Sequence, residues 1–250
     1  MDIVAELDLS PEKITRIVGF LGYGRLSAPV WFIGIEEGLG EMTTLDASRN
    51  LKARANFEKT MDLHEAHKML HKKGCPIDIE NKPPSTQVWR FMAKIMLAYN
   101  GDDEWRNPKS GRVREYIQFQ LGRYNGETFL TELSPIPAHG AADRQWMALF
   151  REQDPDLNSK MAQRTKDLQG ALKKHCPSLV VCYGLTNTRK HDFAGLLGVA
   201  WQQISPKIYA SDNAQCLLLP FFGFGHMSDN VIEDLLHRGL LRPSQSVTSP

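Results

Sequence analysis

Two carboxylates stand side by side in Gly34-Ile35-Glu36-Glu37-Gly38-Leu39-Gly40, directly after the apolar run Pro29-Val30-Trp31-Phe32-Ile33. A glycine-rich turn lets backbone approach a ligand closely, and a carboxylate held there can orient or deprotonate a water. A solvated acidic loop is the competing reading. A second apolar run leads into Leu218-Leu219-Pro220-Phe221-Phe222-Gly223-Phe224-Gly225-His226-Met227-Ser228-Asp229. A histidine in a tight, glycine-flanked turn can donate a hydrogen bond to charge developing on a leaving group. A lone histidine carries that role only if its surroundings support it.

Both groups need a scaffold that brings strand ends together. Pro29 to Ile35, Thr128 to Leu133, Leu179 to Tyr183 and Cys216 to Phe222 read as buried strands, apolar and rich in β-branched or aromatic residues. Helical spacing predicts helices over Ser10 to Gly24, Asp46 to Lys73, Ser85 to Tyr99, Ala142 to Phe150, Leu157 to His175, Thr188 to Leu197 and Asp229 to Leu240. Alternating strands and helices predict an α/β fold: a three-layer αβα sandwich around a central, mostly parallel four-stranded sheet. In such sheets the ligand lies beyond the carboxyl ends of the strands, so all four exits are candidate positions.

The chain has 250 residues, with 30 Lys and Arg against 29 Asp and Glu, so a nucleic-acid surface requires local clustering of charge. One domain over residues 1–242, with a basic helical insertion at about 40–82 and a disordered Ser- and Pro-rich tail over 243–250, is the simplest organisation. No stretch approaches the roughly 18 apolar residues of a membrane span, and the acidic start lacks a signal-peptide pattern, so a cytoplasmic protein is expected. Cys75, Cys176, Cys182 and Cys216 are widely spaced and read as buried free thiols. His64, His67, His71 and Cys75 have near-helical spacing, but zinc needs about four converging donors, and no metal site is assigned.

The order of these pieces resembles the uracil-DNA glycosylase superfamily over roughly Pro29 to Leu240. Gly34-Ile35-Glu36-Glu37-Gly38 is similar to that family's first motif, with Glu36 at the water-activating position and Glu37 where the family has proline. Lys82-Pro83-Pro84-Ser85 resembles its phosphate-gripping loop, and Phe129-Leu130-Thr131-Glu132 resembles the strand whose last residue reads the base. Leu179-Val180-Val181-Cys182-Tyr183-Gly184 is similar to its third strand. His226-Met227-Ser228 resembles its final motif, in which a following side chain wedges into the DNA stack; Met227 is the apolar candidate, since Asn230 stands near the expected wedge position.

The resemblance implies a monofunctional DNA glycosylase that flips a base out of double-stranded DNA and hydrolyses its glycosidic bond. Glu36, or Glu37 in its place, would stabilise an oxocarbenium-like sugar and activate water, while His226 donates to the departing base. Ile35, Phe222 and Phe224 would line the base pocket. Pro84, Ser85, Met227, Ser228, Arg49, Lys52, Arg112 and Arg114 would contact DNA, as would Arg54, Lys59, Lys68, Lys72, Lys73, Arg106 and Lys109. An ionised Glu132 only accepts hydrogen bonds, which suits the exocyclic amine of cytosine better than O4 of uracil, so a C5-modified cytosine is the expected base. That leaves room for a role in defence against phage with modified DNA. Neither cofactor nor iron–sulfur cluster is expected, and the expected partner of this monomer is DNA, with no membrane. A uracil-excising repair enzyme, a non-catalytic DNA-binding module on the same scaffold and an unrelated nucleotide-processing α/β enzyme are the alternatives.

Overall fold

In the computed structural model, which describes residues 9–38, 43–81, 86–138 and 145–242, the four apolar runs lie side by side as parallel strands. The strands are β1 Gly22–Tyr23, β2 Val30–Gly38, β3 Thr60–Met61, β4 His71–Lys72, β5 Cys75–Pro76, β6 Thr128–Ala138, β7 Leu179–Tyr183, β8 Gln202–Ser205, β9 Ile208–Ala210 and β10 Cys216–Leu219. The helices are α1 Pro11–Gly19, α2 Thr44–Arg54, α3 Leu63–Lys68, α4 Gln87–Tyr99, α5 Arg112–Phe119, α6 Gln145–Gln153, α7 Leu157–His175, α8 Asn187–Leu197 and α9 Asp229–His237.

The main sheet runs β3-β1-β6-β2-β7-β10-β9-β8. Its centre, β6-β2-β7-β10, is parallel throughout, whereas β1 joins β6, β9 joins β10 and β8 joins β9 antiparallel. The sheet therefore has eight strands and not the expected four. The four additions are only two to four residues long, too short to show an alternation in sequence.

Both faces of the central strands are covered, which explains why they read as continuous apolar runs. Val30, Phe32, Leu130, Val181, Tyr183, Leu217 and Leu219 pack with Met92, Ile95 and Met96 of α4 and Ile232 and Leu235 of α9. On the opposite face Trp31, Ile33, Phe129, Val180, Cys182 and Leu218 meet Leu168 and Ala171 of α7 and Phe193 and Leu196 of α8. A third cluster joins α1, α2 and α6 to Ile136 of β6.

The helix expected over Asp46 to Lys73 is broken. α2 ends at Arg54, Thr60 and Met61 then pair with Gly22 and Tyr23, and Asp62 caps α3 by accepting from the His64 amide at 2.9 Å. Leu51 and Arg54 of α2 and Leu63, Ala66 and His67 of α3 are buried, so this segment contributes side chains to the core. α1 stops at Gly19, because Gly22 and Tyr23 are already strand. Cys182 and Cys216 are buried as expected, but Cys75 and Cys176 are exposed. Among the described residues no helix is long and apolar enough to cross a membrane.

Candidate active site

A carboxyl group, a gap and a phenol stand in one row across β6, β2 and β7, mid-strand in β6 and β2 and at the carboxyl end of β7. Gly34 of β2 pairs with Glu132 of β6, and Ile33 pairs with Cys182, which sets Tyr183 beside Gly34 on the other flank. The Tyr183 hydroxyl donates to Glu132 Oε1 at 2.8 Å across the glycine. A Cβ at position 34 would lie 1.9 Å from Glu132 Oε2 and 2.4 Å from the Tyr183 oxygen, so only glycine leaves room for this bond.

Glu132 Oε2 is buried and, among the described residues, has no hydrogen-bond partner. Burial pushes this carboxyl up to about 8, and Glu37 and Glu36 push the same way, against the Tyr183 bond and the charge of Arg164. At neutral pH Glu132 is therefore mainly the uncharged acid. This corrects the expectation of an ionised group, because the acid offers both an O–H donor and a carbonyl acceptor. Arg164 of α7 fixes the strand beneath it, donating to the carbonyls of Glu132 at 2.9 Å, Leu133 at 3.2 Å and Phe20 at 2.8 Å.

The two adjacent carboxylates do not sit in a turn. Both lie within β2, which stays paired to β6 through Glu36–Ser134 and Gly38–Ala138 with a register shift between them. That irregularity sends the side chains to different partners. Glu37 accepts from the buried Arg54 guanidinium and from the Tyr23 hydroxyl at 3.2 Å. Burial alone would raise Glu37, but Arg54 and His67 outweigh it and hold the carboxylate below its ordinary value. Among the described residues Glu36, 12% exposed, has one ion contact, a loose one at 3.6 Å with Arg189 of α8. Two carboxyls whose surroundings push their protonation in opposite directions are the arrangement that acid–base chemistry needs. Here they are the neutral Glu132 and the charged Glu37, with the less engaged Glu36 beside them.

Aromatic rings extend from this row to solvent. Tyr183 stacks on Phe222 at 4.6 Å and on Phe221 at 6.4 Å, and Phe221 lies 5.9 Å from Phe224. Phe222 is buried against the site, but Phe224 is 89% exposed and held at φ +53. A left-handed non-glycine residue costs roughly 1–2 kcal/mol. Phe224 thus forms no pocket wall; it projects from the rim, where it offers a face for a base to stack on.

The remaining expected positions separate. Met227 is 3% exposed inside the core and cannot wedge into DNA, because it packs in the cluster of α4 and α9. Ile35 packs on the far face, against Gly184, and does not line the Glu132 side. His226 is exposed in the loop after β10, two strands from β2 and so about 10 Å across the sheet edge. Ser228 precedes α9, whose Asp229 is bound by Lys94 at 2.6 Å. Arg54 is no phosphate ligand, being buried on Glu37, and Arg112 is engaged by Asp102 at 2.9 Å and Glu115 at 2.7 Å. Arg49, Lys52 and Arg114 are exposed. Pro84 and Ser85 lie outside the described residues.

Tyr23, Arg54, Tyr183 and Arg164 are site residues that sequence reasoning did not place there. For Tyr183 a signal existed, since it ends an apolar strand directly before Gly184; the rest depend on packing between distant segments. Compared with known families and with curated proteins, the chain matches no family model and no curated sequence, so the geometry of the site carries its interpretation.

Proposed function

We propose that the chain is a DNA glycosylase of the uracil-DNA glycosylase type, which takes a flipped pyrimidine between Glu132 and the aromatic rings and hydrolyses its glycosidic bond. The observation that carries this reading is the buried Glu132 Oε2, unpartnered among the described residues and set against Gly34 and Tyr183 across three parallel strands. A buried polar atom without a partner costs about 1–3 kcal/mol, a cost that a ligand can remove.

Glu132 in its acid form reads an edge with one donor and one acceptor. For a C5-modified cytosine, Oε2–H donates to N3 and Oε1 accepts from the exocyclic amine. The same acid also fits uracil, donating to O4 and accepting from N3–H, so its uncharged state supports a uracil-excising second reading. As the bond breaks, Glu132 donates to the departing base, the part that sequence alone gave to His226. Glu36 faces the developing sugar cation. Phe224 takes the wedge role first assigned to Met227.

Duplexes bearing uracil, cytosine and C5-modified cytosines, scored for alkali-labile abasic sites, test this. Cleavage at modified cytosine alone supports the first reading and cleavage at uracil the second, whereas binding with no abasic site on any duplex supports a non-catalytic module. Phe224→Ala is expected to weaken duplex binding about tenfold, in line with the roughly 1–3 kcal/mol of one stacking contact. The same variant should leave the thermal midpoint unchanged or slightly raised, since the exposed ring contributes little burial; unchanged affinity would remove Phe224 from the interface.

A further inference from the structure

We infer that Tyr183 is a positioning residue that sets the specificity of this site: its hydroxyl holds the acid proton of Glu132 on Oε2 and thereby fixes the order in which donor and acceptor face a base. The inference rests on the glycosylase reading and deepens it, since a carboxyl alone offers that order either way round. The Tyr183 hydroxyl lies 2.8 Å from Glu132 Oε1 and, among the described residues, makes no other hydrogen bond. Were the acid proton on Oε1, it would point at the phenol oxygen, and the hydroxyl hydrogen would be buried without an acceptor. Donation from Tyr183 to Oε1 avoids that cost. It leaves the proton to Oε2, the buried oxygen without a partner among the described residues.

Both partners are held in place. Tyr183 is 3% exposed, and its ring lies on Phe222 with centroids 4.6 Å apart and planes 13° from parallel. Gly34 stands between the two side chains on the intervening strand, where a Cβ would lie 1.9 Å from Oε2 and 2.4 Å from the phenol oxygen. The phenol stays a donor, because burial above all, and then Glu132 and Glu37, push its ionisation well above the ordinary value. The charged groups that face the Glu132 carboxyl are Glu37 and Glu36 from β2 and Arg164 from α7, and none of them hydrogen-bonds to Oε2.

A proton fixed on one oxygen makes cytosine and uracil alternatives. Cytosine offers an acceptor at N3 and a donor on its exocyclic amine at position 4, whereas uracil offers a donor at N3 and an acceptor at O4. Oε2–H must therefore stand opposite position 3 of a cytosine but opposite position 4 of a uracil. With the glycosidic bond entering from one direction, a carboxyl whose proton cannot change oxygens serves one of the two. A carboxyl free to move its proton serves both, by exchanging the donor and acceptor oxygens.

The test uses the full chain and Tyr183→Phe, which removes the hydroxyl and keeps the ring on Phe222. Single-turnover excision is measured on duplexes bearing uracil, 5-methylcytosine or 5-hydroxymethylcytosine. The variant is expected to lose about tenfold of the parent's preference between uracil and the cytosines, by gaining on the disfavoured base. A second measurement needs no DNA: the titration of Glu132 in the free protein, followed by the infrared band of the carboxylic acid that Glu132→Gln lacks. The Tyr183 bond favours the carboxylate, so its loss should move this titration upward from about 8 by about one pH unit. Loosened packing that admits water moves it the other way, toward the ordinary carboxylate range. Should Tyr183→Phe fold poorly, 3-fluorotyrosine at position 183 keeps the phenol and donates more strongly; it should lower the titration and keep the preference. An active parent whose folded Tyr183→Phe variant keeps the preference, or whose Glu132 titration stays or falls in that variant, overturns the assignment to Tyr183 alone. A parent that leaves no abasic site on any duplex overturns the glycosylase reading and this inference with it.

Discussion

Glu132→Gln is expected to raise the thermal midpoint by about 10 °C at pH 8.5 and to leave it nearly unchanged at pH 4.5. The sign follows from where the proton resides. In the unfolded chain the carboxyl ionises near 4.5, whereas in the fold it holds its proton up to about 8. The stability that the neutral acid contributes is therefore complete below the unfolded value and is lost as pH rises toward the folded one. Over that interval the loss reaches roughly 4–5 kcal/mol at most, from about 1.4 kcal/mol for each pH unit. Glutamine is the uncharged isostere, keeps a carbonyl to accept from Tyr183 and has nothing to ionise. Midpoints followed from pH 4.5 to 8.5 check the point; parallel curves for the two proteins would mean that Glu132 is charged in the fold and that its acid-like reading of a base is wrong.

The effect also shows what the sequence could and could not disclose. β7, β10 and the Val30–Ile33 stretch of β2 were legible because a parallel strand covered on both faces must be apolar at every position, and each of these is. Glu36 and Glu37 follow the β2 run in sequence as Glu132 follows the apolar start of β6, but both strands continue past them, to Gly38 and Ala138. The protonation of Glu132 was not legible, since it arises from burial and from two acids on the neighbouring strand. Arg54 reads as a member of a charged helical face, with no local pattern to distinguish it from Lys52, and His67 reads as one of the spaced set His64, His67, His71 and Cys75. What separates them is the docking of α2 and α3 against Tyr23, which depends on Thr60 and Met61 finding Gly22 and Tyr23 across a long stretch of chain. Phe224 and Met227 could not be told apart in sequence for a similar reason. Three residues apart, both apolar and both near glycines, they differ in that one falls inside the cluster of α4 and α9 and the other on a left-handed turn facing water.

Glu36→Gln is expected to reduce single-turnover excision by about 10³-fold while duplex affinity stays within a few-fold. The carboxylate is largely sheltered from solvent, yet its one ion contact among the described residues is loose, at 3.6 Å from Arg189. A sheltered charge that is not neutralised at close range acts strongly on a cation that forms nearby, and glutamine keeps its shape without the charge. Glu37→Gln makes the informative contrast. Its partner Arg54 is buried, and removing the carboxylate leaves that guanidinium without its ion pair, a destabilisation on the order of 3 kcal/mol. That variant should melt several degrees lower, and below its own transition it should lose far less of its excision rate than Glu36→Gln. Thermal melts and single-turnover rates on both proteins separate the two carboxylates: a large rate loss with an unchanged midpoint identifies the one facing the sugar. Should Glu37→Gln give that signature and Glu36→Gln the lower midpoint, the assignment of the adjacent pair is reversed, and the ion pair with Arg54 is then part of the chemistry and not its support.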